Sequence, residues 1–199
     1  MIKVGITGTI ASGKTTATIL LRRDGYMVFD CDQYAHLAYR KDSLTYEAVV
    51  NTFGQSILDA AGEIDKEKLA KIIFDDDKKR KQLNTIVHPF VKEGLMHYFK
   101  THMQDDICFA EIPLLFEAHW ENIVDRTLLI TCPKEVAIDR LINERFMTAE
   151  EAEKRYNSQI DPSIQMERAD DVIINDGSIH ELKAKLDQYI LNVREGRWN

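Results

Sequence analysis

The chain has 199 residues, enough for one domain with insertions and for a core that needs neither disulfides nor metals. Apolar residues make up 44% and charged residues 30%, a soluble globular balance, and the formal net charge of −7 argues against a general nucleic-acid coat, which needs a basic face. No apolar run approaches the ~18 residues of a membrane span, and glycine and polar residues interrupt the first apolar stretch, so neither a membrane segment nor a signal peptide is expected. Cys31, Cys108 and Cys132 are odd in number and form no CxxC pair, which reads as buried free thiols in a reducing cytoplasm.

In chain order, short β-branched runs predict strands over 2–7, 27–30, 107–111, 127–131 and 172–175. Helical patterns predict helices over 14–24, 34–40, 44–53, 66–74, 78–86, 90–103 and 134–143. Gly25 and Gly54 stand where helices should stop. Thr148 with Glu151, and Ser178 with Glu181, fit capping boxes, so helices should start there too. Strands alternating with helices imply a parallel sheet covered on both faces. The spacing is uneven, however. The expected architecture is an α/β, phosphate-loop type, five-stranded core (1–31, 105–139, 169–199) with a helical substrate insertion (32–104) and a helical lid (140–168). The charge run 75–81 reads as a solvated helix junction.

After the first strand, Gly8-Thr9-Ile10-Ala11-Ser12-Gly13-Lys14-Thr15 fits G-x-x-x-x-G-K-[ST] without a gap, with a strand before it and a helix after it. Glycines let successive backbone N–H groups point inward as an anion nest, and the helix start adds positive potential. Lys14 brings a full charge to the β- and γ-phosphates, and the Thr15 hydroxyl suits Mg²⁺. The loop predicts nucleoside triphosphate binding but not its use. A GTP switch would need Asn-Lys-x-Asp, which the chain lacks; the weak D-x-x-G at 59–62 falls in a helical region. A motor ATPase would be longer and more basic. A small-molecule kinase fits best. Lys14 reads as an exposed loop residue whose replacement by alanine should leave the fold intact.

On the acceptor side, Asp30 and Asp32 follow the second strand, and ligands of open α/β sheets sit beyond strand C-terminal ends. Asp32 could take the proton of an attacking hydroxyl and assist Mg²⁺, or it could merely cap the next helix; spacing alone leaves both open. Glu111 ends the third strand, where metal ligands of such enzymes sit, and 113–116 is too apolar for a solvated loop. His88-Pro89 is expected to start a helix, a place where His more often caps or packs than catalyses. Arg140 and Arg145 fall in the lid, where arginines can neutralise a transferring phosphoryl group.

From Val4 to about Leu182 the chain resembles the dephospho-coenzyme A kinases. The resemblance rests on Gly8 to Thr16, Asp30-Cys31-Asp32, His88-Pro89, the Glu111-Ile-Pro-Leu-Leu-Phe-Glu117 stretch, Arg140-Leu141, Gln159 and the Ala169 to Asn175 segment. It implies transfer of the ATP γ-phosphoryl group to the ribose 3′-hydroxyl of dephospho-CoA, with Mg²⁺, in a cytoplasmic monomer or weak homo-oligomer that binds no nucleic acid or membrane. It implies Asp32 as general base, with Lys14 and Arg140 catalytic and Thr15 and Asp32 at the metal. It implies nucleotide contacts from Gly8, Ala11, Ser12, Gly13, Lys14, Thr15, Thr16, Arg145 and Asn175, and acceptor contacts from Asp30, His88, Pro89, Glu111 and Leu115. Two departures stand out. Thr9 and Ala11 occupy free loop positions where glycine is common in the family, and the second lid arginine, Arg145, comes one residue later than the Arg-Leu-x-x-Arg pattern. On a continuous helix that turns it by about 100°. Either the helix ends before Arg145 or this contact differs.

Overall fold

The computed structural model describes residues 1–74, 76–158 and 160–197. Gln159, one of the residues carrying the resemblance, and Asp75, the first of the charge run, lie outside the described residues.

Five strands, β1 (Ile2–Gly8), β2 (Val28–Asp30), β3 (Ile107–Glu111), β4 (Arg126–Thr131) and β5 (Asp171–Ile174), form a parallel sheet in the order β2-β3-β1-β4-β5. The predicted strands are therefore present, with ends displaced by a residue at most. Alternation decides which side each residue serves. Val4 and Ile6 of β1 face a core built with α1 (Lys14–Arg23) and α9 (Ile179–Arg194), including Leu20, Leu21, Leu186 and Ile190. Gly5 faces the other way, where Leu115 and Val124 pack on it. Register aligns the carboxyl ends: Ile6 is opposite Glu111, Gly8 opposite Ile130, and Thr131 opposite Ile174.

The chain divides into two compact units, 1–29 with 102–199, and 30–101. The expected insertion boundaries at 32 and 104 thus shift outward to 30 and inward to 101. Residues 140–168 group with the sheet rather than forming a unit of their own. They comprise the end of α6 (Lys134–Asn143), α7 (Ala149–Asn157) and α8 (Pro162–Arg168). Both capping boxes are present, at Thr148 with Glu151 and Ser178 with Glu181.

The unit 30–101 contains α2 (Cys31–Ala35), α3 (Tyr46–Phe53), α4 (Lys66–Phe74) and α5 (Asp77–Thr101). The expected helix over 34–40 is instead α2 followed by a 3-10 turn, His36–Tyr39. The two helices expected over 78–86 and 90–103 are one, α5, with Pro89 inside it. An interior proline removes one helical hydrogen bond and costs about 3 kcal/mol. Here Leu83, Val87, Val91, Leu95 and Phe99 form an unbroken buried stripe on both sides of it. Burial of such side chains contributes about 1.5–3 kcal/mol each, so the stripe outweighs the missing bond. His88-Pro89 consequently starts no helix and offers no free N-terminal N–H groups to a diphosphate. Gly94 on the same helix lets the Tyr34 ring lie against the backbone, since a Cβ there would stand 2.2 Å from the ring. Tyr34 stacks on Phe90 with centroids 5.2 Å apart. The D-x-x-G stretch is no switch element. Asp59 closes a small hairpin by accepting from the Ala61 and Glu63 N–H groups at 2.8 and 2.9 Å, beside a bridge between Leu58 and Ile64.

Candidate active site

The glycine-rich loop leaves β1 and enters α1, and besides its own Ser12 N–H to Thr9 carbonyl bond it is tied to neighbouring strand ends and a helix. Thr9 shares a hydroxyl contact of 3.4 Å with Thr131 of β4. Ala11 sits at φ 54, an uncommon conformation for a residue with a Cβ. Its carbonyl accepts from the Arg140 guanidinium at 3.1 Å, with the Cys132 thiol 3.9 Å away. The second Arg140 amine donates to the Asn175 carbonyl at 3.1 Å. Asn175, 6% exposed beyond β5, donates its side-chain amide to the Ser12 carbonyl at 2.8 Å. Gly13 adopts φ 88, and a Cβ there would meet that same amide nitrogen at 2.2 Å, so glycine is required twice over.

Beyond Gly13, α1 begins with no side-chain cap and no acidic residue in its first turn. Its leading N–H groups and positive dipole end are thereby left for an anion. Ser12, 1% exposed, has a hydroxyl with no hydrogen-bond partner. Lys14 is not the exposed loop residue expected from sequence. Its side chain is 17% exposed and its ammonium lies 3.6 Å from the Glu111 carboxylate, because the β1–β3 register brings the end of β3 beside the loop. Glu111 also accepts from the Thr18 hydroxyl at 3.1 Å. Thr15 is exposed and Thr16 half-buried on the first turn of α1. Burial raises the Cys132 thiol above its ordinary value, against a smaller opposing pull from Arg140, so this cysteine is a packing group rather than a nucleophile.

The structure therefore gathers Gly8, Ala11, Ser12, Gly13, Lys14, Thr15, Glu111, Arg140 and Asn175 around one loop. Arg145 is not among them. α6 ends at Asn143, and Arg145 is exposed in the turn that follows, beside Phe146 at φ 57. Of the two arrangements left open by the displaced arginine, the helix that ends early is the one found. Leu115 is completely buried under β1, whereas its neighbour Leu114 is 47% exposed. Sequence reading missed Thr18 and Thr131 as parts of the site. Only Thr18, one helical turn after Lys14, carried any local signal.

In the helical unit, Asp30 is the N-cap of α2, accepting from the Gln33 N–H at 2.9 Å. Asp32 is exposed in the first turn and does not cap. Burial, and then the Asp32 carboxylate, push the Tyr39 hydroxyl above its ordinary range. His88 is half-buried on α5, and desolvation holds its pKa below the ordinary histidine value.

A nucleotide loop on the central strand, with its lysine poised against a strand-end carboxylate, defines a phosphate-loop kinase of the α/β class. The family model for dephospho-CoA kinase matches residues 2–181. A Bacillus cereus dephospho-CoA kinase is 36% identical over 98% of this chain and 96% of its own. Among solved structures, TT1252 from Thermus thermophilus is 34% identical with a TM-score of 0.81, covering 96% of this chain and 97% of that one. Dephospho-CoA kinase from Campylobacter jejuni is 26% identical with a TM-score of 0.74, covering 98% of each. The chain belongs to the dephospho-CoA kinase family, whose members are transferases of coenzyme A biosynthesis.

Proposed function

We propose that this chain transfers the γ-phosphoryl group of ATP to the ribose 3′-hydroxyl of dephospho-CoA, giving coenzyme A and ADP. The observation that carries the reading is the uncapped start of α1 behind a cross-tied glycine loop, in a chain matched by its family over 2–181. The loop N–H groups and Lys14 cradle the β- and γ-phosphates. Asp32 accepts the proton of the attacking hydroxyl as the new P–O bond forms and the bond to the β-phosphate oxygen breaks. Asp30 and His88 serve the acceptor. Pro89 lies inside α5 rather than at a helix start. Arg140 spends two of its five N–H donors on Ala11 and Asn175, which leaves three for phosphate oxygens.

Oxygen donors suit Mg²⁺, and the Thr15 hydroxyl, exposed in the first turn of α1 beside the loop, fits that requirement. It would help hold the ion, which when bound neutralises phosphate charge. Among the described residues no helix is long and apolar enough to cross a membrane. The reading includes a cytoplasmic setting and a monomer or weak homo-oligomer.

The test is steady-state kinetics with dephospho-CoA, AMP and adenosine, followed by NMR location of the new phosphate. Binding energy from the remote pantetheine arm aligns the hydroxyl, so the truncated acceptors should lose turnover as well as affinity. Comparable kcat on AMP, or a phosphate anywhere but the 3′ position, overturns the assignment.

A further inference from the structure

Thr18 has no assigned part in the loop chemistry, yet its hydroxyl reaches the carboxylate that faces Lys14. It lies on α1 one turn after the lysine and is 0% exposed. Its hydroxyl has two acceptors in reach, the Thr15 carbonyl at 3.0 Å and Glu111 Oε2 at 3.1 Å. The first is the ordinary back-bond of a helical threonine, which needs no partner elsewhere. The second joins two elements 93 positions apart and is made to a charged group. Charge-assisted bonds are about twice as strong as neutral ones. The other oxygen of the same carboxylate, Oε1, stands 3.6 Å from Lys14 Nζ, well outside the 2.7–2.9 Å of a tight ammonium–carboxylate bond. One carboxylate is thus divided: one oxygen is held by a hydroxyl, and the other keeps the ammonium near without gripping it.

We infer that Thr18 is a positioning residue for phosphoryl transfer, acting through Glu111 on Lys14. By occupying Oε2 it keeps the carboxylate from rotating to close on the ammonium. Lys14 then rests loosely against Oε1 and passes to the triphosphate when it enters. Without the hydroxyl, Glu111 competes with the phosphates for the lysine. The inference deepens the proposed function, resting on Lys14 as the nucleotide lysine but not on the identity of the acceptor.

The experiment compares wild type with Thr18→Val, which keeps the branched shape, with Thr18→Ser, and with Glu111→Gln alone and combined with Thr18→Val. Affinity for the non-hydrolysable triphosphate β,γ-imido-ATP is measured by calorimetry, and kcat and KM for each substrate by ADP release. Thr18→Val should weaken the triphosphate at least five-fold and lower kcat about ten-fold, with KM for dephospho-CoA unchanged. Thr18→Ser should restore both to within two-fold. On the Glu111→Gln background Thr18→Val should add no further loss, because the intermediary is already gone. Triphosphate affinity within two-fold of wild type in Thr18→Val overturns the inference, as does failed rescue by serine or an equal loss on the Glu111→Gln background. If Thr18→Val fails to fold, Thr18→Ala alone and on the Glu111→Gln background decides: the single variant should weaken the triphosphate and the double variant should match Glu111→Gln, whereas unchanged affinity in Thr18→Ala, or an equal loss on both backgrounds, overturns the inference. A wild type that binds the triphosphate but does not turn over dephospho-CoA overturns the proposed function and leaves the calorimetric test of Thr18 intact.

Discussion

In the sheet unit the bond that fixes Glu111 spans 93 positions of sequence, from Thr18. In the helical unit the bond that fixes Asp30 spans 3, to Gln33. The first exists only once β1, β3 and α1 have come together; the second exists as soon as one helical turn forms. The same contrast marks the proposed reactive groups. Lys14 is held in a half-closed ion pair, while Asp32 stands exposed on a helix whose cap belongs to its neighbour. Catalytic and structural duties are therefore entangled around the loop and separable in the helical unit.

Replacing Lys14 by alanine should show the entanglement most strongly. Turnover should fall by 10²–10³-fold or more, as when a preorganised transition-state contact is lost. The variant should also lose stability, roughly 1–3 kcal/mol, because Glu111 remains buried without its counter-charge. Adding Glu111→Gln should recover melting temperature but not activity. A Lys14→Ala protein that melts like wild type would mean that the ion pair holds nothing together.

Separability predicts the reverse pattern one turn into α2. Asp32→Asn should lower kcat by about 10²–10⁴-fold with an unchanged melting temperature, since Asp30 supplies the cap. Asp30→Ala should cost about 1 kcal/mol of stability through the lost cap. Thermal scans and ADP release on the two variants decide it: if Asp32→Asn destabilises instead, the division of labour between the two carboxylates is wrong.

The smallest expected effect is the pH response of the helical unit. Burial lowers the folded-state pKa of His88, so the fold prefers the neutral ring. The unfolded chain then binds the extra proton first. The stability this histidine contributes is full above its unfolded value, about 6.5, and is lost as pH falls toward the folded one. The slope stays below about 1.4 kcal/mol per pH unit for a single group. Denaturant titrations between pH 5 and 8 should show this slope flattened in His88→Gln.

What could be read from sequence follows the same divide. The five strands and the loop were legible because β-branched runs and a gapless phosphate-binding pattern are local signals. Asp30 and Asp32 were visible together, but which one caps depended on the backbone at the end of β2. The single helix α5 was hidden behind Pro89, whose local penalty says stop while the stripe from Leu83 to Phe99 says continue. The ties from Arg140, Thr131 and Asn175 to the loop, and the parking of Lys14 against Glu111, could not be read at all, since they are created by strand register rather than by neighbours in the chain.

The sheet order also has a consequence for synthesis. β1 is central, and its two partners, β3 and β4, begin at Ile107 and Arg126. A ribosome adding about 5–20 residues per second leaves β1 without either partner for on the order of 5–20 s. Throughout that interval the apolar side chains of Val4 and Ile6 stay uncovered and the backbone of β1 unpaired, while the whole of 30–101, a compact unit with its own contacts, is already complete. β1 is made before the other four strands and waits longest for its first partner, so its apolar faces are where the nascent chain most needs a chaperone's cover.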